Sequence, residues 1–124
     1  MNDKIKKVEK FYKTFLVPIN KKPTLIETKR NIMRFNLMNE ENNEYLEATQ
    51  NNDLVEISDA LGDMLYILCG TIIEHGMQNI INDVFNEIHE SNMSKLDEKG
   101  KPIFREDGKI LKSDRYLPVD LTKL

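Results

Sequence analysis

Residues 53–76, DLVEISDALGDMLYILCGTIIEHG, decide how this chain folds. Apolar residues recur every three or four positions, which predicts a helix. From Ala60 to Ile73 the only charged residue is Asp63, so these turns are apolar on nearly every side and are expected to be buried. Gly76 is a typical C-terminal cap. The sequence therefore predicts a central helix with carboxylates at the edge of a region from which water is excluded.

Two helices are predicted before this segment. Residues 4–16 have the apolar spacing of an amphipathic helix, and the prolines of the loop VPINKKP end it. Thr24 followed by Glu27 is a capping-box pattern, which predicts a second helix from there to about Ala48. Short connections between such helices favour antiparallel packing.

The remaining elements complete a mainly helical fold. Asp53 with Glu56 is a second capping box, which opens the third helix. A fourth helix is indicated by one apolar side, made of Ile80, Ile81, Val84, Phe85 and Ile88. Further on, Asp107-Gly108 is a dipeptide favoured in two-residue hairpin turns. The expected fold is all-α: one domain over 1–124, with a four-helix bundle in 1–95 and a tail in 96–124 that forms a small β-hairpin.

Composition narrows the class of protein. The 124 residues and 40% hydrophobic content suit one folded domain with a core. The lone Cys69 cannot form an internal disulfide and lies in an apolar run, which is typical of a core thiol. No stretch approaches the roughly 20 apolar residues of a membrane span, and the N-terminus lacks the apolar core of a signal peptide. We expect a cytoplasmic protein with neither a membrane nor a nucleic acid as partner.

The charges are strongly segregated along the chain. Residues 1–34 contain ten Lys and Arg against three acids, whereas residues 35–94 contain twelve acids and no Lys or Arg. Eight of these acids lie between Glu40 and Asp63. Like charges this close repel by about 1 kcal/mol per pair at surface dielectrics. A folded centre therefore needs cations from the basic ends, from a partner subunit or from bound metal.

The acids fall on two helical faces. Glu56, Asp59 and Asp63 lie within an arc of roughly 60° on the third helix, and the second helix carries Glu40, Glu41, Glu44 and Glu47 on neighbouring turns. One interpretation is two solvated acidic faces. The other is that antiparallel packing brings the acids together into an oxygen-rich site for Mg²⁺, or for Mn²⁺.

The acidic segments resemble a known family. EENNE, residues 40–44, and EISDALGD, residues 56–63, look like the E-E-x-x-E and E-x-x-D signature of the MazG-like all-α nucleoside triphosphate pyrophosphohydrolases. The segments DALGDMLYILCGTIIEHG, VFNEIHESNMSKLDEKGKPIFREDGKILK and YLPVDL resemble the phosphoribosyl-ATP pyrophosphohydrolase-like branch. The resemblance covers nearly the whole chain.

The resemblance implies an activity and roles for the acids. Family members cleave a nucleotide between its α and β phosphates to give a monophosphate and pyrophosphate, with Mg²⁺ held by four acids. Matched onto this sequence, Glu41 and Glu44 are metal ligands, Glu40 is a catalytic partner that orients water, and Glu41 also belongs to the catalytic set. Asp63 matches the aspartate of the second half of the signature.

One position departs from the family pattern. Most members have a glutamate three residues before the matching aspartate, and here that residue is Ala60. Asp59 lies one turn before Asp63 on the same face, so we expect Asp59 to replace the missing ligand, with Glu56 as the other candidate.

Basic and amide residues are the candidates for substrate contact. SNMSK resembles the substrate-side segment of the family, which makes Asn92 and Lys95 candidates for phosphate or sugar binding. Asn92 continues the apolar stripe of the fourth helix, so it is expected to point inward. Arg34, with Arg30, is expected near the acidic centre, where it would steer phosphates.

The expected protein is thus a metal-dependent nucleotide pyrophosphohydrolase. Because one chain offers little to cover the apolar third helix, we expect a homodimer or a dimer of dimers. Two alternatives remain open at this stage: a catalytically silent helical dimer that binds a nucleotide or a protein, and a phosphoribosyl-ATP pyrophosphohydrolase.

Overall fold

The computed structural model describes residues 2–124 and contains four helices followed by a two-stranded sheet. The elements are α1 (Asn2–Thr14), α2 (Thr28–Gln50), α3 (Leu54–Glu74), α4 (Ile81–Met93), β1 (Ile103–Phe104) and β2 (Ile110–Leu111). The predicted all-α fold with a small C-terminal hairpin is confirmed.

The chain divides into two compact units. The first ends at Asn79 and contains α1, α2 and α3, and the second comprises Ile80–Leu124, with α4 and the hairpin. The predicted division at residue 95 kept the fourth helix with the other three, whereas the structure groups α4 with the tail. No helix among residues 2–124 is both long enough and apolar enough to cross a membrane.

The first unit is built around α3. Both α1 and α2 pack against it, and α2 returns into α3 through the short connection 51–53, so these two helices are antiparallel. Ile73 is fully buried and Cys69 nearly so, as expected for the apolar turns of α3. Burial raises the pKa of the Cys69 thiol. This helix therefore supplies the surface on which the other two are aligned.

The start of α3 follows the sequence prediction, and the start of α2 does not. Asp53 is the N-cap of α3, and its carboxylate accepts hydrogen bonds from the amides of Val55 and Glu56. The predicted capping box at Thr24 is wrong, because α2 begins only at Thr28. The amide of Thr24 instead donates to the carbonyl of His75, 2.9 Å away, so the loop is tied to the end of α3.

The end of α3 requires a glycine. His75 is the C-cap, and Gly76 follows with φ of 68°, the left-handed conformation of a helix-terminating glycine. A Cβ atom at Gly76 would overlap the backbone carbonyl of Lys22. The end of α3 and the loop before α2 therefore fit together closely.

The hairpin of the second unit is antiparallel, with Ile103 opposite Leu111 and Phe104 opposite Ile110. The amide of Arg105 donates to the carbonyl of Lys109 at 2.7 Å, so residues 106–108 form a three-residue turn between this pair. The predicted two-residue turn is wrong, because Gly108, with φ of 91°, takes the left-handed position of a longer turn.

Candidate metal centre

Three carboxylates meet where α2 and α3 face each other. Glu41 and Glu44 lie three residues apart on α2 and therefore project from one face, and Asp63 projects toward them from α3. One carboxylate oxygen from each residue lies within 4.8 Å of the others. We refer to these three residues as the carboxylate trio. Antiparallel packing thus brings together acids that are about twenty residues apart in sequence.

Glu41 is the most buried member of the trio. One of its oxygens, Oε2, is buried and has no hydrogen-bond partner. Burial raises the pKa of Glu41 to about 7, with further contributions from a hydrogen bond to Glu44 and from the negative charges of Glu44, Asp63 and Asp59. In the absence of a cation, therefore, the protonated form of Glu41 is favoured up to about neutral pH.

The trio fits a hard divalent cation. Within residues 2–124, no lysine or arginine side chain forms an ion pair with any of the three carboxylates. Several carboxylate oxygens around one point form the donor set that Mg²⁺ and Mn²⁺ prefer. The unpartnered Oε2 of Glu41 is an additional acceptor that a cation would satisfy.

A polar pocket of about 480 Å³ adjoins the trio toward the connection between α2 and α3. Its lining consists of Glu44, Glu47, Ala48, Asn51, Glu56, Asp59 and Ala60. The two candidate replacement ligands, Asp59 and Glu56, thus share this pocket with Glu44. The charge of Asp59 also contributes to the raised pKa of Glu41, so Asp59 interacts electrostatically with a member of the trio.

Glu40, the predicted water-orienting residue, is exposed on α2 directly before Glu41 and is not a member of the trio.

Asn92 and Lys95 belong to the second unit, so their role toward substrate stays a prediction. The expectation that Asn92 points inward is wrong. Its side chain is exposed, because the stripe that it continues, with Phe85 and Ile88, is itself exposed.

Arg34 is buried in this structure, which contradicts its interpretation as a residue that binds substrate. The side chain is buried, and its Nη1 lies 3.1 Å from Oε2 of Glu74. Arg30 pairs with the other oxygen of Glu74 at 2.6 Å. The two arginines that were expected beside the acidic centre therefore pair with Glu74, at the C-terminal end of α3.

Sequence reasoning overlooked Glu74 as the partner of these arginines. The available signal was its position, since it is the only acid in the apolar run after Asp63 and an acid there requires a cation. Asn51, which lines the polar pocket, was also overlooked, because a helix C-cap asparagine carries no distinctive signal.

An apolar pocket of about 430 Å³ is also formed by α2 and α3. It is lined by Phe35, Met38, Asn39, Asn42, Met64, Leu65 and Leu68. Apart from two asparagine amides, these side chains are apolar. α2 and α3 thus form two pockets of contrasting character, one polar and one apolar.

Comparison with known proteins agrees with this arrangement. The family model described as phosphoribosyl-ATP pyrophosphohydrolase matches residues 8–92, which is more than half of the chain and includes the whole trio. The chain belongs to this family. Members of this MazG-like group are all-α pyrophosphohydrolases. A search of curated proteins found no match.

Membership in the phosphoribosyl-ATP pyrophosphohydrolase family confirms the resemblance seen in the acidic segments. It supports a hydrolase that acts on a nucleotide triphosphate-like substrate. The matched region ends at Asn92, so Lys95 and the hairpin lie beyond it.

Proposed function

We propose that this protein is a divalent-metal-dependent nucleoside triphosphate pyrophosphohydrolase, which cleaves between the α and β phosphates to give a nucleoside monophosphate and pyrophosphate. One observation carries the proposal: Glu41, Glu44 and Asp63 place carboxylate oxygens within 4.8 Å of one another, with no described lysine or arginine to neutralise them. The family match supports the reaction class.

The trio would hold Mg²⁺, or Mn²⁺, with Asp59 or Glu56 as a further ligand from the polar pocket. When bound, the cation supplies positive charge that offsets the charge of the polyphosphate during hydrolysis. The exposed Glu40 orients the attacking water, because it lies directly before Glu41 and is open to solvent. Asn92 and Lys95 are the proposed contacts to phosphate or sugar.

The proposed assembly is a homodimer or a dimer of dimers. Phe35 on α2 is 64% exposed and Leu61 on α3 is 50% exposed, and both are large apolar side chains. A second copy that covers these helices would bury this surface and shield the acidic centre from water. A cytoplasmic location is proposed as well.

A second candidate function is phosphoribosyl-ATP hydrolysis, which the description of the matching family favours. This substrate carries the same triphosphate, so the trio would act in the same way. The candidates differ only in what is attached to the triphosphate.

Pyrophosphate release tests the proposal. Purified protein is assayed with Mg²⁺ or Mn²⁺ against the common nucleoside and deoxynucleoside triphosphates, and separately against phosphoribosyl-ATP. We expect metal-dependent turnover that Glu44→Ala and Asp63→Ala each abolish. Glu87→Gln, an exposed acid on α4, is the matched control and keeps its activity.

Three results separate the candidates. Turnover of phosphoribosyl-ATP alone selects the second function. Tight nucleotide binding without turnover of any substrate refutes the enzyme and supports a silent binding protein. Turnover that survives both trio substitutions places the chemistry elsewhere and refutes the assignment of the site.

A further inference from the structure

The surfaces of α2 and α3 that face each other, called here the α2–α3 seam, carry two charged clusters. The carboxylate trio lies in the middle of the seam, and the ion pair of Arg34 with Glu74 lies farther from the connection between the helices. Arg34 precedes Glu41 by seven residues, about two helical turns, and Glu74 follows Asp63 by eleven, about three turns. Both clusters therefore lie on the same faces of the two helices.

Arg34 is bound to α3 through three of its nitrogen atoms. Nη1 lies 3.1 Å from Oε2 of Glu74, Nη2 donates to the carbonyl of Ile67 at 2.8 Å, and Nε donates to Oγ1 of Thr71 at 3.0 Å. Ile67 is one turn beyond Asp63. Because the guanidinium is planar and its donors have fixed directions, the two hydrogen bonds restrict sliding of α2 along α3, and the ion pair with Glu74 adds electrostatic attraction.

The surroundings of this ion pair leave it little freedom. Glu74 is only 1% exposed, and Arg30 also binds it. The ring of Tyr12, from α1, lies 5.8 Å from the guanidinium of Arg34. Gly70 permits this packing, since a Cβ atom there would overlap the hydroxyl of Tyr12 and approach Nη2 of Arg34 to 2.8 Å. Residues of α1, α2 and α3 therefore enclose this ion pair.

The trio creates a need for such a restraint. The negative charges of Glu44 on α2 and Asp63 on α3 repel each other when no cation is bound, which favours separation of the two helices in the middle of the seam. At one end the short connection 51–53 holds them together. At the other end the contacts of Arg34 hold them. The rigidity and spacing of the ligands set the affinity of a carboxylate site for a cation.

We infer that Arg34 and Glu74 are positioning residues of the metal centre, whose ion pair keeps α2 and α3 in the register at which Glu41 and Asp63 can share one cation. This inference rests on the proposed function, because it requires the trio to bind a divalent cation. It assigns the two residues no contact with metal or substrate.

Titration of the protein with Mn²⁺ by calorimetry tests this role. Arg34→Lys keeps a positive charge near Glu74 but loses the planar set of donors to Ile67 and Thr71, and Glu74→Gln removes the acid with little change in shape. We expect each variant to bind Mn²⁺ more weakly by on the order of tenfold, as is typical when a residue that orients metal ligands is replaced. In the pyrophosphate assay, more metal is needed for half-maximal rate, while kcat at saturating metal stays close to that of the wild type.

The matched control is Val8→Ala. Val8 is buried on α1 beside Tyr66 and Cys69, outside the seam, so the substitution lowers stability without touching the contacts of Arg34. Unfolding midpoints are measured for all variants. We expect the control to bind Mn²⁺ with wild-type affinity even where its midpoint falls as far as that of Arg34→Lys.

Each outcome decides one question. Wild-type Mn²⁺ affinity in a folded Arg34→Lys overturns the positioning role and leaves the proposed function intact. An equal loss of affinity in Val8→Ala also overturns it, because general loosening then explains the effect. No Mn²⁺ binding by the wild type overturns the proposed function itself. If Glu74→Gln does not fold, Arg34→Lys with its control decides the matter.

Discussion

Replacing Glu41 by glutamine should stabilise the metal-free protein. Near neutral pH the structure favours the protonated form of this side chain, since burial and the charges of Glu44, Asp63 and Asp59 raise its pKa from 4.5 to about 7. Glutamine has the shape of the protonated acid and carries no charge, and its amide can still donate a hydrogen bond to Glu44. The substitution thus removes the electrostatic repulsion between an ionised Glu41 and the neighbouring carboxylates.

The size of the effect follows from the pKa. Each pKa unit corresponds to about 1.4 kcal/mol, so a rise from 4.5 to about 7 sets an upper limit of about 3 kcal/mol. The cluster is partly open to solvent, and screening by water and salt reduces this amount. We therefore expect Glu41→Gln to raise the free energy of unfolding by about 1–2 kcal/mol above pH 7.

The sign of the pH dependence is fixed by linkage. Between pH 4.5 and 7 the folded protein keeps a proton on Glu41 that the unfolded chain has released, so the wild-type stability falls as the pH rises through this window. The variant lacks this contribution. The difference between the two proteins should therefore be absent at about pH 4.5 and complete above pH 7.

Urea denaturation in the presence of a chelator, followed by circular dichroism at several pH values, measures this difference. Glu40→Gln is the matched control, since it removes a neighbouring charge that is exposed, and it should change stability by less than about 0.5 kcal/mol. Addition of Mg²⁺ should then stabilise the wild type and not Glu41→Gln. If Glu41→Gln destabilises the metal-free protein at pH 8, or if its effect does not vary with pH, the reasoning about the trio is refuted.

Three further substitutions test the fold that holds the site. Gly70→Ala should lower the free energy of unfolding by about 1–3 kcal/mol, because its Cβ overlaps Tyr12, and a denaturation curve measures the loss. Asp53→Ala removes the N-cap of α3 and should cost about 1 kcal/mol, whereas Asp53→Asn, which retains an acceptor, should cost less in the same assay. Gly76→Ala, at φ of 68° against the carbonyl of Lys22, should lower the unfolding midpoint, and an unchanged midpoint would contradict the close fit at that turn.

Sequence signals predicted the helices correctly where the interaction that stabilises the helix lies within the helix itself. The side chain of Asp53 caps its own helix, and the apolar turns of α3 are buried, as their composition required. The capping box at Thr24 failed because a tertiary contact prevailed: the end of α3 binds the backbone of Thr24 and keeps it in a loop. A capping pattern describes only a preference, which such a contact overrides.

The meeting of three acids from α2 and α3 was predictable from the sequence, whereas the partner of the two arginines was not. Helical spacing placed Glu41 and Glu44 on one face, and antiparallel packing was enough to bring Asp63 to them. The partner of Arg34 could not be read from spacing, because Glu74 is forty residues away and their meeting depends on the register of two helices. The absence of bases from residues 35–94 pointed to a need for cations, and the structure shows that Arg30 and Arg34 satisfy a different acid.

The structure is compatible with Asp59 as the additional ligand in place of the glutamate that most family members have at position 60. Ala60 is only 2% exposed, and together with the buried Ala48 it lines the polar pocket at the end where the connection draws α2 and α3 together. A longer side chain at position 60 would extend into this pocket. Asp59 is exposed and lines the same pocket, and its charge already raises the pKa of Glu41. An acid in the neighbouring position can therefore supply the missing negative charge to the same pocket.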